Sequence, residues 1–240
     1  MNIAQKSVLI TGANRGIGRA LLQEALRRGA KNVYAGTRGT IDIADERVTP
    51  LTLDVTNLEQ IEQAVRKVGS LDVLINNSGI APYDDLSDPD VIEKTLAVNF
   101  FGMYKVSRAF LPMLKRSGGA LVNNLSLMAL APLPLTPSYA ISKAAALSMT
   151  QSLRALLASE GVTVHGVFLG PVDTDMTRGF EMPKASPESV AQGIFDGLQS
   201  GEEDIFPDPL SQSIAEGWRN GVAKEFERQY AGFVPQNAAL

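Results

Sequence analysis

The chain has no cysteine and a single histidine, His165. Disulfide frameworks, thiol catalysis and thiolate metal sites are thereby excluded, as is any metal site built on several histidines. No metal is expected. The lack of cysteine fits a reducing compartment, and a cytoplasmic location is expected. Aromatic residues make up only 6% of the 240 residues, with one tryptophan. No apolar stretch is long enough to cross a bilayer, since the run 125–135 is interrupted by Ser126, Pro132 and Pro134. No membrane partner is therefore expected. The opening residues carry one lysine ahead of a short apolar run and lack the pattern of a signal peptide. Charge of one sign is also scarce. The net charge is -4 and no like-charged block stands out, which argues against a nucleic-acid partner.

What remains is an ordinary globular balance, 45% hydrophobic and 20% charged, in a chain long enough for one sizeable core. Short apolar runs alternate with amphipathic segments. Strands are predicted over 7–10, 32–35, 48–53, 71–76, 119–125, 162–168 and 204–206. Helices are predicted over 15–28, 58–68, 88–115, 138–159, 187–199 and 210–230. Val73, Leu74 and Ile75 are consecutive, as in a strand buried on both faces of a parallel sheet. No repeat, linker or low-complexity stretch interrupts the alternation. The expectation is one α/β domain over 1–240, doubly wound, with a mainly parallel sheet of about seven strands.

The first strand runs into Thr11-Gly12-Ala13-Asn14-Arg15-Gly16-Ile17-Gly18 and then a helix. Glycines permit a tight turn and close approach of the backbone to a pyrophosphate, and the helix N-terminus offers unpaired N–H groups. This is a dinucleotide cradle of Rossmann type, although its glycine spacing departs from Gly-x-Gly-x-x-Gly. A ligand-free glycine-rich turn is the plain alternative. After the second strand, an acid would bind the ribose hydroxyls of NAD, whereas a 2′-phosphate needs a cation. The segment here is Ala35-Gly36-Thr37-Arg38, with no acid at its tip. Arg38 and Arg15 could both approach a phosphate, and NADP(H) is the expected cofactor.

Tyr139 and Lys143 stand four positions apart on a predicted helix and so share a face. A free tyrosine titrates near pH ~10, and a neighbouring ammonium favours the phenolate. Ser126, a short loop upstream, can donate a hydrogen bond to a substrate oxygen. Alone, such a pair is an ordinary helix-surface feature. Asn123 and Asn124 read as structural residues bonded to adjacent backbone, and His165 as a core histidine. Asp173 and Asp175 read as solvated loop acids.

Taken together, these motifs resemble the short-chain dehydrogenase/reductase family, from about Lys6 to Phe206. Thr11-Gly12 through Gly18 is similar to its cofactor turn. Asp54-Val55 is similar to the pair that contacts the adenine region. Asn76-Asn77-Ser78-Gly79 resembles its Asn-Asn-Ala-Gly element, with Ser78 in place of alanine. Asn99, Ser126, Tyr139 and Lys143 fall at the family's catalytic positions. Gly170-Pro171-Val172-Asp173-Thr174 is similar to the region that meets the nicotinamide carboxamide, with Leu169 in place of a proline. The resemblance implies hydride transfer between NADP(H) and a carbonyl–alcohol pair. Tyr139 would act as general acid, Ser126 would hold the carbonyl oxygen, Lys143 would bind ribose, and Asn99 would hold a water. It also implies a homo-oligomer, a tetramer.

Only about ten residues separate Arg38 from Val48, fewer than the ~11–12 of a mean helix, so the crossover there is expected to shrink to a turn. Met128, Leu130, Leu133, Leu135, Met176, Phe180 and Met182 suggest an apolar substrate pocket, and the neutral ketone or aldehyde is the preferred substrate class. A non-catalytic NADP(H)-binding regulator on the same fold is the alternative. A sugar epimerase would call for more chain after Phe206, and an enoyl reductase for a longer Tyr–Lys spacing.

Overall fold

The computed structural model describes residues 1–234. The expected domain runs to residue 240, so its last residues, 235–240, lie outside the described residues. The strands are β1 (Ser7–Thr11), β2 (Asn32–Thr37), β3 (Val48–Thr52), β4 (Val73–Asn76), β5 (Ala120–Asn124), β6 (Thr163–Val167) and β7 (Asp204–Ile205). All pair in parallel, in the order β3-β2-β1-β4-β5-β6-β7. β1, β4 and β5 are buried at every position, which is why their sequences lack polar alternation. β3 is an edge strand that is mostly open to solvent, and only there does the sheet carry a proline, Pro50.

The helices are α1 (Gly16–Arg27), α2 (Leu58–Lys67), α3 (Pro89–Leu96), α4 (Met103–Ser117), α5 (Pro137–Leu157), α6 (Pro187–Ser200), α7 (Pro209–Arg219) and α8 (Val222–Tyr230). On one face of the sheet, Leu21, Leu22 and Ala25 of α1 and Ile194, Phe195 and Leu198 of α6 share a core with Val8, Ile10 and Val122. On the other, Ile61 of α2, Phe110 and Leu114 of α4 and Leu153 and Leu157 of α5 pack on Leu9, Leu74 and Leu121. A smaller cluster joins Leu125, Leu147, Phe168 and Phe206 to Ala215 of α7. The arrangement is a doubly wound Rossmann-type fold. Sheet growth reverses between β3 and β4, so β1 and β4 flank the switch point at which such sheets hold ligands.

The connection from β2 to β3 contains no helix, as its length predicts. Two other segments differ from the sequence expectation. The segment read as one helix over 88–115 is α3 and α4 joined by a π-helical turn, Ala97–Gly102. Gly102 there lies flush on Val55, where a Cβ would stand 2.6 Å from Val55 Cγ2, and Asn99 is drawn toward a neighbouring loop. The segment read as one helix over 210–230 breaks at Asn220-Gly221 into α7 and α8. A Cβ on Gly221 would sit 2.7 Å from the Gly217 carbonyl oxygen, so the chain turns where only glycine fits. Among the described residues no helix is long and apolar enough to cross a membrane.

Candidate active site

The glycine-rich turn after β1 has the geometry its spacing predicts. Gly12 and Gly16 lie at φ +68° and +51°, the left-handed region that other residues rarely adopt. A Cβ on Gly18 would stand 2.0 Å from the Gly12 carbonyl oxygen. α1 therefore starts hard against the turn. Its N-terminus has no side-chain cap and no acid in the first turn, which leaves its N–H groups and dipole open to an anion. Ile17 packs beneath into the core. This backbone fits a pyrophosphate.

Thr11 Oγ1 accepts the N–H groups of Asn77 and Ser78, and Asn77 Nδ2 donates to Thr11 O at 2.9 Å. Asn77 Oδ1 accepts from Asn124 Nδ2 at 2.9 Å. The side chain of Asn77 is thus spent on fastening β4 to β1 and β5. It braces the cradle and has little left for a ligand. At the tip of β2, the buried Thr37 accepts the Gly39 N–H, and Asn14 Nδ2 faces Gly39. Arg38 is largely exposed and lies 3.8 Å from Asp54. Burial raises the Asp54 carboxyl, but hydrogen bonds from Thr56 and the charge of Arg38 outweigh it and hold the group below its usual value. Val55 is buried against Gly102. An arginine and no acid at the β2 tip fit a 2′-phosphate; Arg15, 3.5 Å from Asp175, is the second cation near the turn.

Past the end of β5, Ser126 caps the short helical turn Leu127–Ala129, and its Oγ accepts the Met128 N–H at 3.1 Å. Tyr139 stands in the first turn of α5, just after Pro137, and is half-buried. Burial pushes its phenol up to about 12, and the hydrogen bond with the Ser126 hydroxyl pulls it back part of the way. Lys143, one turn on, is 4% exposed, and burial lowers its ammonium to about 8. The sequence expectation that Lys143 draws the phenol down is not met in this arrangement. Lys143 Nζ donates to the Asn124 carbonyl oxygen at 2.7 Å and lies 5.6 Å over the centre of the Tyr139 ring. Desolvation of the phenol dominates its shift.

Asn99 is fully buried in the π-helical turn. Its Oδ1 accepts the Ile80 N–H at 2.9 Å, and its Nδ2 donates to Ile80 O at 2.8 Å and to Ser142 Oγ at 2.9 Å. No amide hydrogen remains for a bridging water. Ser142 in turn donates to the Tyr139 carbonyl, so Asn99 joins the loop after β4 to the tyrosine's helical turn. A Cβ on Gly79 would meet Asn99 Oδ1 at 3.3 Å and Lys143 Nζ at 4.0 Å.

After β6, Leu169 O accepts the Leu127 N–H at 3.0 Å, and Gly170 N donates to Asp208 at 2.8 Å. Val172 is buried and bridges to Ala185, and Thr174 packs beside Gly16. The loop therefore spans from the serine to the cradle. A cavity of about 390 Å³ opens beside Gly16, Arg19 and Thr174, on the cradle side rather than at Ser126 and Tyr139.

Four residues at or beside the site escaped the sequence reading. Asp84 accepts from both Ser138 Oγ and Ser138 N–H at the start of α5. Asp208 grips Gly170, Ser142 links Asn99 to Tyr139, and Tyr83 stacks on Phe180. Each has a partner remote in sequence, so spacing holds no sign of these links. Asn123 and Asn124 are structural as expected, but through side chains rather than adjacent backbone. Asn123 bonds Asn76 and Thr150, and Asn124 bonds Asn77. His165 is a core residue whose ring nitrogens face Glu202 O and Thr163 Oγ1. Asp173 and Asp175 are exposed loop acids as expected, and Asp175 also pairs with Arg178 and Arg15.

A short chain dehydrogenase of Burkholderia cenocepacia J2315, solved in complex with NADP, superposes with a TM-score of 0.87. It is 35% identical, and the match covers 98% of this chain and 100% of that one. The 3-oxoacyl-acyl-carrier-protein reductase of Vibrio harveyi is 34% identical over 190 residues, 74% of this chain and 78% of its own length. Mouse estradiol 17-beta-dehydrogenase 2 is 36% identical over 192 residues, 73% of this chain and 50% of that enzyme, so the match spans half of the mouse enzyme's length. Residues 6–184 match the family described as short chain dehydrogenase, and the chain belongs to the short-chain dehydrogenase family of oxidoreductases.

Proposed function

We propose that the chain uses NADPH to reduce a neutral, apolar ketone or aldehyde to the alcohol. The observation that carries the reading is the cluster itself: Tyr139 in the first turn of α5 with Lys143 buried one turn along the same helix, and Ser126 close enough to the phenol to lower it. When bound, the nicotinamide cofactor supplies the hydride. The backbone of Gly12, Gly16 and Gly18 and the open end of α1 would hold its pyrophosphate. Arg38 and Arg15 would hold the 2′-phosphate, and Asp54 and Val55 would flank the adenine. Ser78, Gly79, Gly170, Val172 and Thr174 would line the nicotinamide side.

Ser126 donates a hydrogen bond to the substrate oxygen and fixes its position. Tyr139 gives its proton to that oxygen as negative charge develops there. A phenol pushed up to about 12 carries its proton throughout the neutral range, which suits the reductive direction. Lys143 would bind ribose hydroxyls, and its charge favours the phenolate left behind. Asn99 holds the loop after β4 and the turn of Tyr139 in register. Met128, Leu130 and Leu133, with no arginine among them, favour an uncharged substrate.

The test is NADPH oxidation with a panel of carbonyl compounds, beside NADPH titration of Tyr139→Phe. Turnover by the unmodified chain, lost by about 10²-fold or more in the variant with cofactor affinity retained, is expected. Equal turnover by the variant would remove Tyr139 from the chemistry, and NADPH binding with no turnover by the unmodified chain would leave a non-catalytic cofactor-binding regulator as the better reading. We further propose a cytoplasmic homotetramer, supported by the exposed Phe101, Tyr104 and Ile141; sedimentation showing only monomer would overturn it.

A further inference from the structure

Two rings near the site have no part in the chemistry above. Tyr83 is 63% exposed, yet its ring stacks on Phe180 with centroids 5.8 Å apart and an interplanar angle of 28°. The rings come from different loops, and each loop is tied to the reactive cluster by its own route. The first loop leaves Gly79 beside Lys143, passes Ile80 on Asn99, and reaches Asp84, which grips Ser138. The Asp84 N–H also donates to Leu135 O at 3.3 Å. This loop therefore runs beside Tyr139 between two anchors, with Tyr83 next to the second. Just beyond, Leu86 is held at φ 66°, a costly conformation for a bulky side chain that persists only where its surroundings impose it.

The second loop begins at Leu169 O, bonded to Leu127 N–H behind Ser126, and passes Thr174 against Gly16. Its base is pinned, with Asp173 N–H on Ala185 O at 2.9 Å and Ala185 N–H on Pro171 O at 3.0 Å. Phe180 rides on the excursion between those pins, its N–H on Thr177 O at 3.1 Å. The two loops leave the Ser126–Tyr139–Lys143 cluster from different elements and meet at the Tyr83–Phe180 stack. An aromatic pair exposed to water gains little from its own burial. A flat apolar molecule entering between the loops can replace the ring-on-ring contact with an equivalent one and cover both rings besides.

We infer that Tyr83 and Phe180 form an aromatic gate at the substrate entrance, and that it selects carbonyl compounds bearing a flat ring, which stacks on the two side chains once they part. The inference rests on the carbonyl reduction proposed above and names the substrate class for it.

The kinetic test compares acetophenone with the straight-chain methyl ketone of equal carbon count, both with NADPH. Phe180→Ala and Tyr83→Ala should each lower kcat/KM for acetophenone about two- to twelvefold relative to the straight-chain ketone, mainly through KM. The double variant should lose little more than either single one, and Phe180→Tyr should retain the preference. A second test needs no turnover. The chain has no cysteine, so Tyr83→Cys supplies its only thiol and leaves the Phe180 ring in place. A maleimide should label that thiol, and acetophenone with NADP⁺ should slow the labelling where the straight-chain ketone does not. Equal kinetic effects on both ketones, or labelling indifferent to acetophenone, would overturn the gate. If the unmodified chain turns over neither ketone, the carbonyl reductase reading fails, and the gate stands or falls on the labelling result.

Discussion

The tightest point of the cradle is Gly18, and replacing it by alanine is the sharpest perturbation on offer. The added Cβ would stand 2.0 Å from the Gly12 carbonyl oxygen, 2.8 Å from its carbon and 2.7 Å from Asn77 Nδ2. Two of these atoms are backbone, and the third is held by Thr11 O, so none can swing aside. The start of α1 must withdraw from the turn. A shift of roughly 1 Å takes an N–H···O contact of ~2.9 Å out of hydrogen-bonding range. A hydrogen bond to a charged group is worth about 1.5–3 kcal/mol, so losing one raises the NADPH dissociation constant about ten- to a hundredfold. Fluorescence titration of NADPH reads this directly, and thermal melting followed by circular dichroism checks that the fold survives. Gly69→Ala is the control, because a Cβ there meets nothing within 4 Å. A Gly18→Ala variant that binds NADPH as tightly as the unmodified chain would refute the role given to this turn.

Arg38→Asp should lower kcat/KM for NADPH about tenfold more than for NADH, since it replaces attraction to a 2′-phosphate by repulsion; comparable losses with both cofactors would remove Arg38 from cofactor choice. Lys224→Met should destabilise the chain by about 3 kcal/mol in urea unfolding, because the buried ammonium pairs with Glu203, Asp204 and Glu227 at 2.8–3.0 Å and its loss leaves the buried Asp204 with one cation, Arg154, in place of two. A loss within experimental error would show that Arg154 alone suffices for these acids. His165 is held below its usual value of 6.5, mainly by burial, which outweighs the hydrogen bond to Glu202 O. As pH falls below 6.5 the unfolded chain takes up a proton that the folded chain resists, so stability present at higher pH declines. The melting temperature should therefore drop between about pH 7 and pH 5, and His165→Gln should flatten that drop; an identical slope in the variant would count against it.

Features governed by local geometry were legible in the sequence. Glycines at 12, 16 and 18 announce a turn that only glycine can make, and the spacing of Tyr139 and Lys143 puts both on one helical face. Consecutive apolar residues in β1 and β4 mark strands buried on both sides, and the short run after Arg38 leaves no room for a helix. Tertiary structure decided what depends on partners far along the chain. Asp84 meets Ser138 across 54 positions and Asp208 meets Gly170 across 38, and nothing in either neighbourhood signals the other. Asn99 carries no local mark of the π-helical turn that aims its amide at Ile80. The state of the Tyr139–Lys143 pair was also beyond the sequence. Spacing brings an ammonium near a phenol, but burial shifts both groups, and the ammonium's hydrogen bond goes to the Asn124 carbonyl. Desolvation and long-range hydrogen bonds exist only once the sheet has assembled, and in this protein they set the acid that the local motif merely supplies.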